Sequence, residues 1–362
     1  PSPSSRALPG HDGEPTAPPG HQMVTELRQV RRLVTPAAGC QTRRMPHRIG
    51  IIGLGTVGSR FVEQFTAHPD FEVVAAWDAD PDACATHANS VRIADDALEV
   101  VEEADAVYIA VPPLFHREYV DACVRAGTGI FCEKPLGVDL DESRAMVQLV
   151  EQSGLPAAVN FVVGSAPSAV QLAADVEAGR LGEIVRADLR LHFAEWPRAW
   201  HSKAQWLRFR DQGGWLREVA SHFLFLARRA LGPIELGAAS VTFEDGVDGH
   251  LCEIDATARF TSSTAPLVMI GTSGGVGPDV VDLTIRGTHG SERIVDWYRL
   301  QSTTGGEWAD RLGTDRAQLG SVAYAAQLGQ LSLLLDGSAN SLATFADALA
   351  VQELIEATLL GR

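Results

Sequence analysis

Three spaced glycines directly after a short apolar run constrain this chain more than any other feature. Gly53, Gly55 and Gly58 follow the run 49–52, which is typical of a buried parallel strand, and residues 56–65 have the apolar spacing of a helix. In such a unit the first glycine permits a tight turn, the second the close approach of a pyrophosphate, and the third the packing of helix on strand. The pattern predicts a dinucleotide site; the alternative is a turn whose glycines serve packing alone. The predicted cofactor-binding residues of the turn are Gly53, Gly55, Thr56, Val57 and Gly58.

An acidic residue at the end of the next strand indicates which dinucleotide is bound. The predicted strand 71–77 ends at Asp78, where a dinucleotide fold places the carboxylate that accepts hydrogen bonds from the adenosine ribose. Ala79 and Asp80 follow, so no Arg or Lys is present to receive a 2′-phosphate, which the carboxylate would repel. We therefore expect NAD as the cofactor, in preference to NADP.

Composition excludes several classes of partner. The formal net charge is −16, with 46 acidic residues against 30 Lys and Arg, which argues against nucleic acid. No apolar run approaches the roughly 20 residues that span a bilayer, so no membrane partner is expected. Five scattered cysteines lack C-x-x-C spacing, which favours free thiols in a cytoplasmic protein. No metal-ligand grouping such as H-E-x-x-H occurs, and no metal site is predicted.

The order of predicted elements changes near the middle of the chain. Strands and helices alternate up to residue 161, which predicts a doubly wound parallel sheet of six strands, including short ones at 91–93 and 157–161. From residue 183 several strands succeed one another, which predicts an α+β domain with a large open mixed or antiparallel sheet. The predicted domains are a disordered extension at 1–46, a Rossmann dinucleotide-binding domain at 47–165, and a substrate and oligomerisation domain at 166–362 whose last helix packs back on the first domain.

Lys134 is the strongest candidate for chemistry. It comes just after the predicted strand 129–132, at the sheet edge where open α/β proteins bind ligands, and Pro135 restricts its backbone to extended geometry. A lysine held there beside a nicotinamide is suited to proton transfer with a substrate oxygen. The alternative is a surface lysine paired with Glu133.

Together, these motifs resemble the Gfo/Idh/MocA oxidoreductase family from about residue 47 to the final helix. The resemblance implies a Rossmann domain followed by an α/β domain with a large open sheet. It further implies that Lys134 contacts the reacting hydroxyl or carbonyl, that Glu133 lies beside the nicotinamide ribose, and that Pro112 and His116 lie near the cofactor. The motifs are the glycine turn, Val111-Pro112-Pro113 with His116, and Cys132-Glu133-Lys134-Pro135-Leu136-Gly137.

The second domain departs from the family pattern D-x-G-x-H-x-x-D, which follows a glycine pair. His222 takes the position of the histidine, Glu218 replaces the first aspartate, and Phe225 replaces the second. Helical spacing of i, i+4 places Glu218 and His222 on one face, where a carboxylate could orient a histidine for acid–base work. The alternative is a buried histidine satisfied by a local hydrogen bond. The predicted catalytic residues are Lys134, His222 and Glu218.

Tryptophans and basic residues alternate between residues 193 and 216. Aromatic faces beside basic groups suit a ring-bearing or anionic substrate, but the same tryptophans could instead fix a long loop onto the sheet or fill a subunit contact. The residues concerned are Trp196, Trp200, Trp206 and Trp215, with Arg198, His201, Lys203, Arg208 and Arg210.

The sequence as a whole predicts an NAD-dependent oxidoreductase. It would transfer hydride between nicotinamide and an alcohol or carbonyl carbon of a sugar, cyclitol or related small polar substrate, and the resemblance implies a homodimer or homotetramer. Two other classes remain open. One is a redox-neutral relative that retains NAD and eliminates a glycosidic group, or one that reduces an imine. The other is a non-catalytic sensor of dinucleotide or metabolite.

Overall fold

The computed structural model describes residues 45–202, 204–246 and 248–361. The predicted disordered extension lies, up to residue 44, outside the described residues. Within these ranges no helix combines the length and the apolar character that crossing a membrane requires.

The first half of the described chain forms a parallel five-stranded sheet in the order β2-β1-β3-β4-β5. All residues of β3 and β4 are buried, as expected for a parallel sheet covered by helices on both faces. The predicted strand at 91–93 is reduced to an isolated bridge between Ile93 and Ala76, because short helices begin and end on either side of it. The strands are β1 (His47–Ile52), β2 (Phe71–Trp77), β3 (Ala106–Ile109), β4 (Gly129–Cys132) and β5 (Ala157–Val159). The helices are α1 (Thr56–Ala67), α2 (Pro81–His87), α3 (Ala97–Glu103), α4 (His116–Ala126) and α5 (Leu140–Ser153).

This strand order determines where a ligand can bind. The chain leaves β1 toward β2 on one side and returns to β3 on the other, so the sheet has its switch point between β1 and β3. Crevices open at such points, outside the carboxyl ends of the strands. The glycine turn follows β1, the Pro112-Pro113 turn follows β3, and Lys134 follows β4, so all three lie at this edge.

The second half of the described chain forms a mixed sheet of eight strands in the order β13-β12-β11-β10-β6-β9-β8-β7. β6 and β9 are parallel and the other neighbours antiparallel, which confirms the predicted fold class. The strand Ser291–Val295 ends there because Asp296 and Trp297 adopt positive φ (51° and 77°) and turn the chain into the next strand. The strands are β6 (Ile184–Phe193), β7 (Ile234–Phe243), β8 (Glu253–Ser262), β9 (Leu267–Ser273), β10 (Val280–Gly287), β11 (Ser291–Val295), β12 (Arg299–Thr303) and β13 (Ala309–Asp310). The helices are α6 (Val162–Ser165), α7 (Pro167–Glu177), α8 (Ser221–Leu231), α9 (Arg316–Leu335) and α10 (Phe345–Leu359).

A π-helical turn, Leu216–Ala220, leads into α8 and is fixed from two sides. The indole of the preceding Trp215 is fully buried and donates to the Glu253 carbonyl at 2.9 Å. Arg217 donates two hydrogen bonds to the carboxylate of Glu356 on α10, at 2.7 and 2.8 Å. The same helix reaches the turn after β4, where Gln352 donates to the Gly137 carbonyl at 3.0 Å. The last helix therefore contacts both the π turn and the Rossmann half.

Candidate active site

A single large cavity, of about 1280 Å³, collects most of the predicted site residues. Its volume exceeds the roughly 300–1,000 Å³ typical of small-ligand sites, which leaves room for a dinucleotide together with a small substrate. Of the predicted residues, Gly58 and His116 are absent from its described lining. Those that line it are Gly53, Gly55, Thr56, Val57, Asp78, Pro112, Glu133, Lys134, Glu218 and His222.

The three glycines of the turn have three different surroundings. Gly53 has φ +99°, and a Cβ there would lie 2.6 Å from the Ala110 carbonyl carbon. A Cβ on Gly58 would overlap the Gly53 carbonyl oxygen and lie 2.8 Å from its carbon, so helix and turn are in direct contact. A Cβ on Gly55 would meet no atom within 4 Å, and the backbone of Gly55 (φ −65°) has a conformation that any residue can adopt. Gly55 therefore leaves open space beside the first N–H groups of α1, as a pyrophosphate requires.

Asp78 is held at the end of β2 by backbone donors. Its Oδ2 accepts from the Leu54 N–H at 2.5 Å and its Oδ1 from the Asp80 N–H at 2.8 Å. These bonds fix the carboxylate beside the glycine turn on the cavity wall. The position suits a ribose diol, and its chain neighbours Trp77 and Ala79 offer no positive charge for a 2′-phosphate.

Lys134 and Glu218 connect the two halves of the site. The Lys134 ammonium forms an ion pair with the Glu218 carboxylate and also donates to the Glu218 carbonyl at 2.9 Å. The bond joins the end of β4 to the π-helical turn across the cavity floor. An ammonium has three donors, and these two bonds leave one for a ligand.

His222 lies one turn into the same helical segment and is almost fully buried, at 6% exposure. Its ring packs edge-on against Phe161 and Trp297, and its Nδ1 has no partner among the described residues. Burial, reinforced by the positive charges of Lys134 and Arg198, holds the pKa of His222 well below its ordinary value. The ring is therefore neutral at pH 7.

The expected pairing of Glu218 with His222 does not appear among the hydrogen bonds of the described chain. Lys134 takes the Glu218 carboxylate instead. The i, i+4 argument assumes an α-helix, whereas residues Leu216–Ala220 form a π-helical turn with a longer repeat, which changes the angular relation between the two side chains. The role of Glu218 as orienter of His222 thus stays a prediction.

Glu133 belongs to a buried polar cluster, and its carboxylate also accepts from the Lys134 backbone N–H at 3.2 Å. Its carboxylate accepts from the Tyr108 hydroxyl and from the Asn160 amide. Burial raises the pKa of Glu133, although the nearby charge of Lys134 partly opposes the shift. Asn160 follows β5 and also lines the cavity; its place at the carboxyl edge is a signal that could have identified it from sequence.

His116 lies behind the cavity wall. Its ring nitrogens contact the Val111 carbonyl at 2.9 Å and the Leu136 carbonyl at 3.1 Å. Complete burial lowers the pKa of His116 to about 4, so the ring is neutral at pH 7. His116 connects the turns that follow β3 and β4, which suits a residue that supports the cofactor site rather than one that lines it.

The tryptophan-rich segment divides between two environments. Trp215 belongs to the core, and the Trp196 indole donates to the Leu207 carbonyl at 3.1 Å, which fixes the loop. Trp200 and Trp206 line the cavity. Lys203 lies outside the described residues.

Among the lining residues that were not predicted as site residues are Arg60 and Trp297. Arg60 lies one helical turn after Thr56 on α1, so helical spacing could have identified it. Trp297 reaches the cavity through its positive φ, for which the sequence offers no signal.

Residues 47–161 match the model of the Gfo/Idh/MocA family, which is described as an oxidoreductase family with an NAD-binding Rossmann fold. Over this segment the match confirms the resemblance inferred from the motifs. The match also confirms the prediction of an NAD-type dinucleotide fold.

The relatives found by sequence match a shorter part of this chain than the solved structures do. The inositol 2-dehydrogenase of Rhizobium meliloti is 27% identical over 220 residues, which are 59% of this chain and 64% of that protein. Inositol 2-dehydrogenase 2 of Saccharopolyspora erythraea is 32% identical over 148 residues, 39% of this chain and 44% of that protein. The chain thus spans less than two thirds of either relative.

Solved structures match nearly the whole chain. An oxidoreductase from Agrobacterium radiobacter, crystallised with NAD+, L-tartaric acid and magnesium, superposes with a TM-score of 0.74. It is 19% identical, and the match covers 88% of this chain and 96% of that one. At this identity the likeness establishes the fold.

Proposed function

We propose that this protein is an NAD-dependent oxidoreductase that acts on a hydroxyl-bearing or carbonyl carbon of a sugar, cyclitol or related small polar substrate. The observation that carries the proposal is the Lys134 ammonium, which faces one cavity shared by the glycine turn and the π turn. The names of the relatives, inositol 2-dehydrogenases, support the substrate class.

The residues present fit a bound NAD. The open space at Gly55 and the N–H groups of α1 would receive the pyrophosphate, and Asp78 would accept hydrogen bonds from the adenosine ribose. When bound, NAD supplies the hydride acceptor or donor.

Lys134 would act on the substrate oxygen. In reduction, the free N–H of the ammonium donates to the carbonyl oxygen and delivers a proton as the carbon is reduced. In oxidation, the nitrogen first releases a proton to solvent, and the resulting neutral amine receives the hydroxyl proton. Glu218 would hold Lys134 in place through the ion pair and the carbonyl contact. His222, being neutral, would hydrogen-bond the substrate rather than attract it by charge.

The test removes the lysine while the cavity is kept. Lys134→Met retains the length of the side chain and loses its charge and donors. We expect turnover to fall by about 10²–10⁴-fold, the usual contribution of general acid–base catalysis. NADH affinity should change by less than about threefold, because the glycine turn is untouched. Arg208→Gln is the control, since Arg208 is exposed and is absent from the described lining.

Absorbance of NADH, followed with a panel of sugars, cyclitols, sugar acids and imines, measures this turnover. Stoichiometric NADH formation supports a dehydrogenase, whereas product formation without net NADH indicates the redox-neutral class. Wild-type turnover in Lys134→Met would refute the role of the lysine.

A further inference from the structure

Arg198 is a buried cation on the cavity wall, at 9% exposure, and aromatic rings surround it. Its guanidinium carbon lies 4.8 Å from the ring centre of Trp200 and 5.3 Å from that of Trp297. Phe193 and Trp196 complete the enclosure at 5.3 and 5.5 Å. These rings stabilise a cation but provide no hydrogen-bond acceptor in their planes.

The Arg198 guanidinium has no carboxylate partner within the described chain. Its Nε has no hydrogen-bond partner there, and none of the described ion pairs includes Arg198. Other arginines of the protein show the usual arrangement: Arg217 and Arg299 each bind one carboxylate through Nε and a terminal nitrogen. A buried charge without such a partner costs free energy. An anionic ligand in the cavity would supply the partner that Arg198 lacks.

His201, also buried and on the cavity wall, adds a second unsatisfied donor. The Arg198 backbone N–H donates to His201 Nδ1 at 3.2 Å, so the neutral ring carries its proton on Nε2. Nε2 lies 3.4 Å from Nη2 of Arg198, which places two donors face to face. In the other tautomer the proton lies on Nδ1, and the two donors that face each other are then Nδ1–H and the Arg198 backbone N–H. Burial lowers the pKa of His201 to about 4, so the ring is neutral at pH 7.

The charges around Arg198 have both signs, since the cavity wall also carries Glu63, Asp78, Asp80, Glu133 and Glu218. Lys134, Arg60 and Arg316 line the same cavity. Burial lowers the pKa of Arg198, and the charges of Arg316 and Arg60 lower it further, whereas Glu218 and Asp279 oppose the shift. Glu218 is already paired with Lys134, so its carboxylate does not serve as the direct partner of Arg198.

We infer that the substrate carries a carboxylate, which binds the terminal nitrogens of Arg198 together with His201 Nε2. The inference rests on the proposed function and narrows its substrate class to sugar acids and carboxylated cyclitols. A carboxylate is favoured over a phosphate because its single negative charge matches the one guanidinium that lacks a carboxylate partner, whereas a phosphate monoester carries about −1.5 to −2 at pH 7. Bidentate pairing with a carboxylate also occurs at Arg217 and Arg299 in this protein.

The test compares an acid with its uncharged amide of the same shape. D-Glucuronate, D-glucuronamide, D-galacturonate, D-galacturonamide and glucose 6-phosphate are each titrated calorimetrically into the full chain saturated with NADH, a state in which a hydroxyl substrate does not turn over. At least one acid should bind about 10- to 100-fold more tightly than its amide, the range expected for charge-assisted hydrogen bonds.

Three variants test whether Arg198 is the residue that causes the preference for the acid over its amide. Arg198→Gln should abolish it, Arg198→Lys should retain part of it, and the exposed Arg208→Gln should keep it in full. Because the preference is a ratio measured on one preparation, incomplete folding of a variant does not imitate its loss. NADH binding checks each variant independently.

The inference is overturned if no acid is preferred to its amide, if glucose 6-phosphate binds more tightly than both acids, or if Arg208→Gln lowers the preference as much as Arg198→Gln. Failure of the proposed function is distinguishable. An acid preference with neither formation nor consumption of NADH in the presence of any acid would leave the anion site and reject the oxidoreductase. NADH formation from neutral sugars without an acid preference would do the reverse.

Discussion

Substituting two glycines of the same turn should separate cofactor binding from folding. An added methyl at Gly58 would overlap the Gly53 carbonyl oxygen, and since both groups belong to the backbone, α1 must move away from β1. The same methyl at Gly55 would meet no protein atom within 4 Å. We therefore expect Gly58→Ala to lose stability and Gly55→Ala to lose NADH affinity.

The magnitudes follow from this contrast. Overpacking against backbone costs about 3 kcal/mol at Gly58, and alanine regains about 1 kcal/mol of helix propensity, which leaves a net loss of about 2 kcal/mol. Gly55 is the N-cap of α1, where alanine costs about 0.5 kcal/mol. Its methyl would instead press on the pyrophosphate, and about 1–3 kcal/mol of overpacking corresponds to about 5- to 150-fold weaker NADH binding.

Urea unfolding without cofactor measures the first quantity, and fluorescence titration with NADH measures the second. Gly55→Ala is the matched control for stability, because it adds the same methyl three residues earlier. The reasoning fails if Gly55→Ala binds NADH as tightly as the wild type, or if Gly58→Ala unfolds at the same urea concentration.

Two further predictions concern buried charge. Arg217→Met leaves the Glu356 carboxylate without its partner and should lower the free energy of unfolding by about 3 kcal/mol, whereas Arg144→Met, at the exposed pair with Glu353, should lower it by less than about 1 kcal/mol. Equal losses in urea unfolding would contradict this. Burial raises the pKa of Glu253 from 4.5 to about 7, so the folded state binds the proton more tightly and loses about 3 kcal/mol as the pH rises between these values. Glu253→Gln should remove that loss, and an unchanged pH profile would contradict it.

The cofactor half of the site could be predicted from sequence because its signals are local. The strand, the three glycines and the acidic residue after the next strand lie within residues 47–78, and the backbone geometry that they require is the one observed. The position of Lys134 could be predicted for the same reason, since the end of a parallel strand fixes the edge of the sheet on which the residue lies.

The partner of Lys134 could not be predicted in this way. Glu218 lies 84 residues further along the chain, and its direction depends on a π-helical turn that an α-helical pattern does not reveal. That turn is fixed by the contact of Trp215 with Glu253 and by the bond of Arg217 to the final helix. Tertiary contacts, rather than local propensity, therefore decide which residue Glu218 meets.

The same distinction separates the two walls of the cavity. The dinucleotide site is formed largely by backbone, so a few glycines and one carboxylate specify it, and residues 47–161 match the family model. The opposite wall consists of side chains from separate elements: Arg198 from a loop, His222 from α8 and Trp297 from the turn before β12. Each can change without disturbing the turn that holds the cofactor. The side chains of this opposite wall should therefore determine substrate specificity. Exchanging Arg198 should alter which substrate binds, while NADH affinity is retained.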